Sequence, residues 1–129
     1  MIDILNKNPK VGMVTGNRLN KNLERKNLSS LIHLGNKLLS LAHNFLNGIN
    51  LQDHLSGLRV IRAEILKDWS LEAKGFDIEI ELNLLVRRKG YSIIEVPVKY
   101  RPRKGEKKLK IKDGWVILQR IIKESVNLK

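Results

Sequence analysis

Between Leu28 and Ile49 apolar residues recur with helical spacing. Leu28, Leu31, Ile32, Gly35, Leu38, Leu39, Ala42, Phe45, Leu46 and Ile49 follow the i, i+3, i+4, i+7 rule. His33, Asn36, Lys37, Ser40, His43, Asn44 and Asn47 fall opposite, and Gly48 is a natural stop. Leu34 and Leu41 widen the apolar face beyond one stripe. Such a face suits a helix packed on a core, and equally one that also touches a membrane surface.

Shorter patterns flank this helix. Ile2 to Leu5 reads as the tail of a helix stopped by Asn8-Pro9, and Val11 to Thr15 as a strand leaving through Gly16-Asn17-Arg18. Asn20 to Asn27 reads as a polar loop, Gln52 to Gly57 as another, Leu58 to Arg62 as a strand and Ala63 to Lys67 as a short helix. Phe76 to Leu84 alternates like a strand, but the run continues to Arg88 before Gly90. Length therefore favours a helix from Asp77 with Ile78, Leu82, Leu85 and Val86 on one face. Ser92 to Tyr100 alternates as a strand, and Pro97 predicts an edge or a bulge. After a basic loop, Asp113 can cap a last helix with Trp115, Leu118, Ile121 and Ile122 as its apolar positions. Strands and helices alternate, which predicts an α/β class.

Length and composition narrow the function. At 129 residues the chain makes one domain or part of one, since domains commonly run ~100–150 residues. It has no cysteine, which excludes disulfides, a Cys-ligated zinc site and a thiol nucleophile. The longest apolar run, Trp115 to Leu118, is far below the ~20 residues of a spanning helix. The start shows no basic region followed by an apolar stretch, so the expected address is cytoplasmic, with a peripheral place on the cytoplasmic membrane face left open. Net charge is +12, and the window Lys99 to Lys112 holds +7 of it. Arg18, Lys21, Arg25 and Lys26 form a weaker basic stretch. The excess points to a polyanion: nucleic acid, anionic lipid or a phosphorylated ligand. His33 and His43 lie ten residues apart, about three turns, too far for one metal site. With His54 they read as ordinary surface or loop histidines, and no zinc is expected.

Five segments, in order, carry a family resemblance. Val11–Arg18 (VGMVTGNR) is similar to "D-V-V-I-G-S-R", and Asp53–Arg59 (DHLSGLR) to "D-x-x-S-G-F-R". Gly75–Leu82 (GFDIEIEL) is similar to "G-F-E-x-E-x-E-L", and Gly90–Tyr100 (GYSIIEVPVKY) to "G-Y-x-I-x-E-V-P-V-x-Y". Arg101–Leu109 (RPRKGEKKL) is similar to "R-P-R-x-G-x-S-K-L", before Asp113-Gly114 opens the closing helix. The chain thus resembles family 2 glycosyltransferases of the dolichol-phosphate mannosyltransferase-like, polyprenyl-phosphate subgroup. The resemblance spans nearly the whole chain but about the second half of that family's catalytic domain.

The resemblance implies the C-terminal portion of a GT-A domain, with residues 1–129 as a partial catalytic domain of mixed sheet and flanking helices. The family's nucleotide-binding half, with its D-x-D motif for the metal and sugar nucleotide, would precede Met1; this chain has no D-x-D triplet. It implies transfer of a hexose from a nucleotide sugar to a polyprenyl or dolichyl phosphate. A divalent cation (Mg or Mn) is expected for the complete enzyme, none is expected on this chain, and activity alone should be slight. By resemblance, Asp53 faces the reaction centre, though an Asx-turn in its loop is an alternative. Arg18 closes the acceptor site, and Arg103 and Lys108 contact phosphate, with Arg101 and Lys107 beside them in the same basic loop. Lys107 stands where the family has serine, exchanging a hydroxyl for a charge. Arg25 lies in the family's acceptor loop. Glu79 and Glu81 resemble an acidic pair opening the next helix; simple stabilisation of that helix's dipole is the plainer account. Two rival functions remain: a non-catalytic nucleic-acid-binding module, and a membrane-surface partner that has lost catalysis.

Overall fold

The uninterrupted apolar and small run from Val11 to Gly16 forms the middle of a sheet, as runs lacking polar alternation do when both faces are covered. In the computed structural model, which describes residues 1–18, 30–99 and 110–127, this run is strand β1 (Val11–Asn17), buried from Val11 to Gly16. Helix α1 (Ile2–Lys7) precedes it. Helix α2 (Ser30–Asn47), strand β2 (Arg59–Ile61) and helix α3 (Ala63–Leu66) follow, then α4 (Ile78–Arg88), β3 (Ser92–Pro97) and α5 (Ile111–Asn127). The class is mixed α/β. Sheet order is β2-β1-β3, with β2 antiparallel and β3 parallel to the central strand.

Val11 pairs with Ser92 but Met13 with Ile93, so one residue of β1 is extra at Gly12. This irregularity lets Val11 and Val14 share one face, where they pack with Leu5 of α1 and with Val60, Ile94 and Val96. Met13 turns to the other face, against Ile65 and Val86. A Cβ on Gly12 would collide with Ile65 and Tyr91, so the position has room only for glycine. The main core lies on the Met13 side, where Ile80 and Leu84 of α4 and Ile117 and Ile121 of α5 meet Ile49, Leu51, Leu39 and Ala42.

Arg120 fastens α5. Its guanidinium pairs with Asp77 at 3.1 Å, Glu72 at 3.2 Å and Glu124 at 3.3 Å, and lies 3.7 Å from Glu81. Arg88 of α4 pairs with Glu124 as well.

Element types follow the sequence reading closely, but the helix faces do not. The α2 stripe turns partly outward: Leu34, Leu38, Leu41 and Phe45 are exposed, Phe45 by 89%, while His43 and Asn47 from the polar set are buried. On that inward side His43 Nδ1 lies 3.0 Å from Asn47 Nδ2, and Asn44 bonds Leu51 and His54. On α4 the expected face of Ile78, Leu82, Leu85 and Val86 is rotated, and the buried residues are Ile80, Glu81, Asn83, Leu84 and Val86. That helix is gripped on two sides, by α5 and by the sheet with α3, so one stripe cannot describe it. On α5 the expected Trp115 and Ile122 are exposed, Trp115 by 63%; Ile117 and Ile121 are buried in the main core, and Glu124 is buried in the Arg120 network. Asp113 does act at the start of α5, accepting the Lys110 N–H at 2.6 Å.

Candidate functional site

β1 and β3 are parallel, so their carboxyl ends lie at one edge of the sheet, where open α/β sheets commonly bind ligands. Arg18 is the residue just past β1. Asp53 reaches it from the α2–β2 loop. Asp53 Oδ2 accepts Arg18 Nε at 2.7 Å and the Arg18 backbone N–H at 3.0 Å, and Oδ1 accepts the second guanidinium nitrogen at 2.8 Å. The result is a two-pronged, charge-assisted pair with a third bond from the main chain. Asp53 is 4% exposed and Arg18 29%, so the cation is the partner that solvent reaches. The Asp53 side chain is therefore committed to Arg18 rather than to an Asx-turn.

The loop that carries Asp53 is braced from β3. Glu95 accepts the backbone N–H groups of Gln52 and Asp53, both at 2.8 Å. Asn17 Nδ2 donates to Gln52 Oε1 at 3.2 Å. With two of its amides capped by one carboxylate, the loop holds its aspartate at a set position relative to both parallel strands.

Arg59, which closes the DHLSGLR segment, is threaded under the same loop. It donates to the carbonyls of Ser56, Glu79 and His54 and to Asn83 Oδ1. Burial lowers its guanidinium's proton affinity, Glu79 and Asp53 raise it, and Arg18 lowers it. Burial likewise raises the Glu79 carboxyl above the ordinary range, against the pull of its backbone hydrogen bond and of Arg59 and Arg18. Arg18, Asp53, Arg59 and Glu79 thus form one electrostatic group of two cations and two carboxylates, with Glu79 beside Gly57.

Glu81 does not join it. Its Oε1 accepts Trp69 Nε1 at 2.8 Å and the Glu72 N–H at 3.1 Å, and Oε2 accepts the Ala73 N–H at 2.6 Å. It is a buried organiser of the 69–73 segment: Glu79 and Glu81 both lie in the first turn of α4, but two residues apart they point to opposite sides and meet different partners. Arg25, Arg101, Arg103, Lys107 and Lys108 lie outside the described residues.

The histidine reading is also corrected. His43 and His54 are 0% and 2% exposed, with ring centroids 4.4 Å apart and edge-on. Burial, with each other's company for His43, pushes His43 down to about 3 and His54 to about 4. Sequence reasoning missed these rings together with Arg59, Glu95 and Asn83. Arg59 was signalled by its place in the motif; the others make sense only once α2, α4 and β3 meet.

Among the described residues no group of three His, Asp or Glu side chains could hold a metal ion. Both oxygens of Asp53 accept bonds from Arg18.

The chain is 36% identical over 99 residues to a dolichyl-phosphate hexose transferase of Haloferax volcanii, a match spanning 75% of this chain and 41% of that protein. It is 31% identical over 93 residues to glycosyltransferase AglJ of the same organism, spanning 70% of this chain and 31% of the other. These two matches support a polyprenyl-phosphate glycosyltransferase-like family. The chain spans well under half the length of these two glycosyltransferases. No family model matches it, and no solved structure matches it. Within this glycosyltransferase-like chain, the Arg18–Asp53 corner joins two of the segments that carry the family resemblance.

Proposed function

We propose that this chain is the acceptor-side, C-terminal portion of a GT-A catalytic domain that transfers a hexose from a nucleotide sugar to a polyprenyl or dolichyl phosphate. The observation that carries the reading is the forked Arg18–Asp53 pair at the carboxyl end of β1. A guanidinium held by a carboxylate keeps its charge and orientation, the properties with which arginine recognises a phosphate. The acceptor phosphate is ionised near neutral pH, so its oxygen attacks the sugar's anomeric carbon without a strong base, and the nucleoside diphosphate departs. Asp53 sets Arg18, and Arg59 and Glu79 tune the field around it. The basic residues Arg101, Arg103, Lys107, Lys108 and Arg25 add positive charge for the two phosphate groups. The divalent cation and the nucleotide are assigned to a nucleotide-binding part carrying D-x-D, so the chain alone is expected to be nearly inactive.

The same proposal places the chain at a membrane surface. Leu34, Leu38, Leu41 and Phe45 of α2 share one exposed stripe, and Trp115, Val116, Ile122 and Val126 are exposed on α5, which packs against α2. A peripheral contact of this kind would bring the site to a lipid-borne phosphate. Among the described residues no helix is long and apolar enough to cross a membrane.

The test is a transfer assay with labelled nucleotide sugars and a polyprenyl phosphate, run on the chain alone and with a D-x-D-containing nucleotide-binding part supplied. Label should pass to lipid only in the second case. Unaided turnover would refute the inactive-alone clause. No turnover in any pairing, with RNA binding that falls steeply with salt and ignores sugar nucleotides, would replace the reading with a nucleic-acid module.

A further inference from the structure

Behind Asp53 lies a buried polar cluster that the phosphate site does not itself use. His54 Nε2 is 2.8 Å from Asn44 Oδ1 on α2. Asn44 exchanges two bonds with Leu51: its Nδ2 donates to the Leu51 carbonyl at 2.9 Å and its Oδ1 accepts the Leu51 N–H at 3.1 Å. That double bond fixes which end of the amide faces the histidine. An amide oxygen only accepts, so Nε2 of His54 carries the proton. On the other side Asn83 of α4 gives its oxygen to Arg59 at 3.2 Å, which turns its Nδ2 toward His54 Nδ1 at 3.5 Å and the His54 carbonyl at 3.4 Å. Nδ1 therefore accepts. The ring is neutral, in one tautomer, and pinned between two helices.

Burial keeps the ring neutral against the pull of the Asp53 carboxylate, and the Arg59 guanidinium acts in the same direction as burial. Asp53 precedes it in the loop, Arg59 approaches from β2, and His43 meets it edge-on from α2, while α4 presents the neutral Asn83. A proton on Nδ1 would face Asn83 Nδ2, a donor, and would add a second cation beside Arg59.

We infer that His54 is a positioning residue for the Arg18–Asp53 pair, holding the Asp53 loop to α2 and α4 through its neutral Nε2–H tautomer. The Asp53 amide is tied to Glu95, and the next side chain is tied to Asn44 and Asn83, so the carboxylate has no slack with which to follow Arg18 outward. The functional consequence rests on the phosphate-site reading above; the geometry does not.

The experiment uses the full chain and the variants His54→Gln and His54→Leu. Glutamine keeps an N–H donor and an acceptor; leucine keeps volume only. Ring nitrogen NMR on the unmodified chain should show His54 as the Nε2–H form, unchanged from pH 8 to 6. The Arg18 Nε–H signal, protected by Asp53, should persist in His54→Gln and be lost in His54→Leu. Farnesyl phosphate binding should weaken about tenfold in His54→Leu and by less than about threefold in His54→Gln, the range common for residues that orient a ligand-binding group. A doubly protonated or Nδ1–H ring at pH 7 overturns the inference. So does an unaltered Arg18 signal in His54→Leu, or its loss in His54→Gln when the fold is retained. Should His54→Leu not fold, the ring NMR and His54→Gln still decide. If the unmodified chain fails to bind farnesyl phosphate while the Arg18 signal responds as stated, the phosphate-site reading falls and the positioning role stands.

Discussion

Asp53 Oδ2 accepts two bonds from Arg18, one from the side chain at 2.7 Å and one from the main chain at 3.0 Å. The carboxylate therefore fixes the path of the chain leaving β1 as well as the guanidinium. Asp53→Asn keeps the shape but loses the charge and one acceptor. Loss of a buried, charge-assisted partner of this type should cost about 1–3 kcal/mol. Urea unfolding of Asp53→Asn, Arg18→Met and the double variant should show coupling. Additive effects would mean that the pair contributes no interaction energy.

The buried histidines make stability fall in acid. Folding lowers both from the ordinary 6.5, to about 3 for His43 and about 4 for His54, mainly by burial. Between those values the unfolded chain binds protons that the folded chain refuses. Their contribution is fully present above about pH 6.5 and declines as pH drops toward 4, by roughly 2 kcal/mol per ring at pH 5. Urea midpoints at pH 7.5, 6 and 5 should fall in that order. His54→Gln should flatten the slope; an unchanged slope would assign the loss to other groups.

Arg120 serves Asp77, Glu72 and Glu124 at once, with Glu81 nearby. Its replacement by methionine leaves buried carboxylates without a counter-charge. Breaking such a network from the cationic side should cost about 3–5 kcal/mol. Arg120→Lys, with a point charge in place of a planar fork, should recover only part. Thermal unfolding of both variants measures the difference, and equal stability of Arg120→Met with the parent would reduce the hub to a spectator.

The outward stripe of α2 should matter for lipid and not for stability. Phe45 is 89% exposed, so Phe45→Ser should shift unfolding by no more than about 0.5 kcal/mol. If the stripe rests on lipid, the same change should weaken binding to anionic vesicles about tenfold or more, the weight of one buried aromatic. Cosedimentation with vesicles, with Trp115 fluorescence as a second reporter, gives the answer.

What could be read from the residues alone was the chain of elements and the separate candidacies of Arg18 and Asp53; that the two bind each other was not legible. β1 was legible because an apolar run bounded by turn residues has few other uses, and Arg18 and Asp53 because each ends or opens a segment with a family likeness. The direction of the helix faces was not legible. Periodicity tells which residues share a side, whereas the side that turns inward depends on partners far along the chain. For α2 those partners are Leu51 and His54, which hold Asn44 and draw His43 inward while Leu38 and Phe45 are left outside. Glu81 misled for a related reason: its position at a helix start looked like dipole chemistry, and only the fold brings Trp69 and two amides to it.

The Arg120 hub also bears on how the chain reaches this structure. Its bonds to Asp77 and Glu72 join residues 43 and 48 positions apart, so α5 gains these contacts only after long loops have closed. Contacts of that separation form late in folding and slow it. The closing helix is accordingly expected to be among the last parts to dock and the first to release, with substitutions at Arg120 speeding unfolding far more than they slow refolding. For a nascent chain, the carboxylates of the 72–81 region would wait for Arg120 until α5 has left the ribosome.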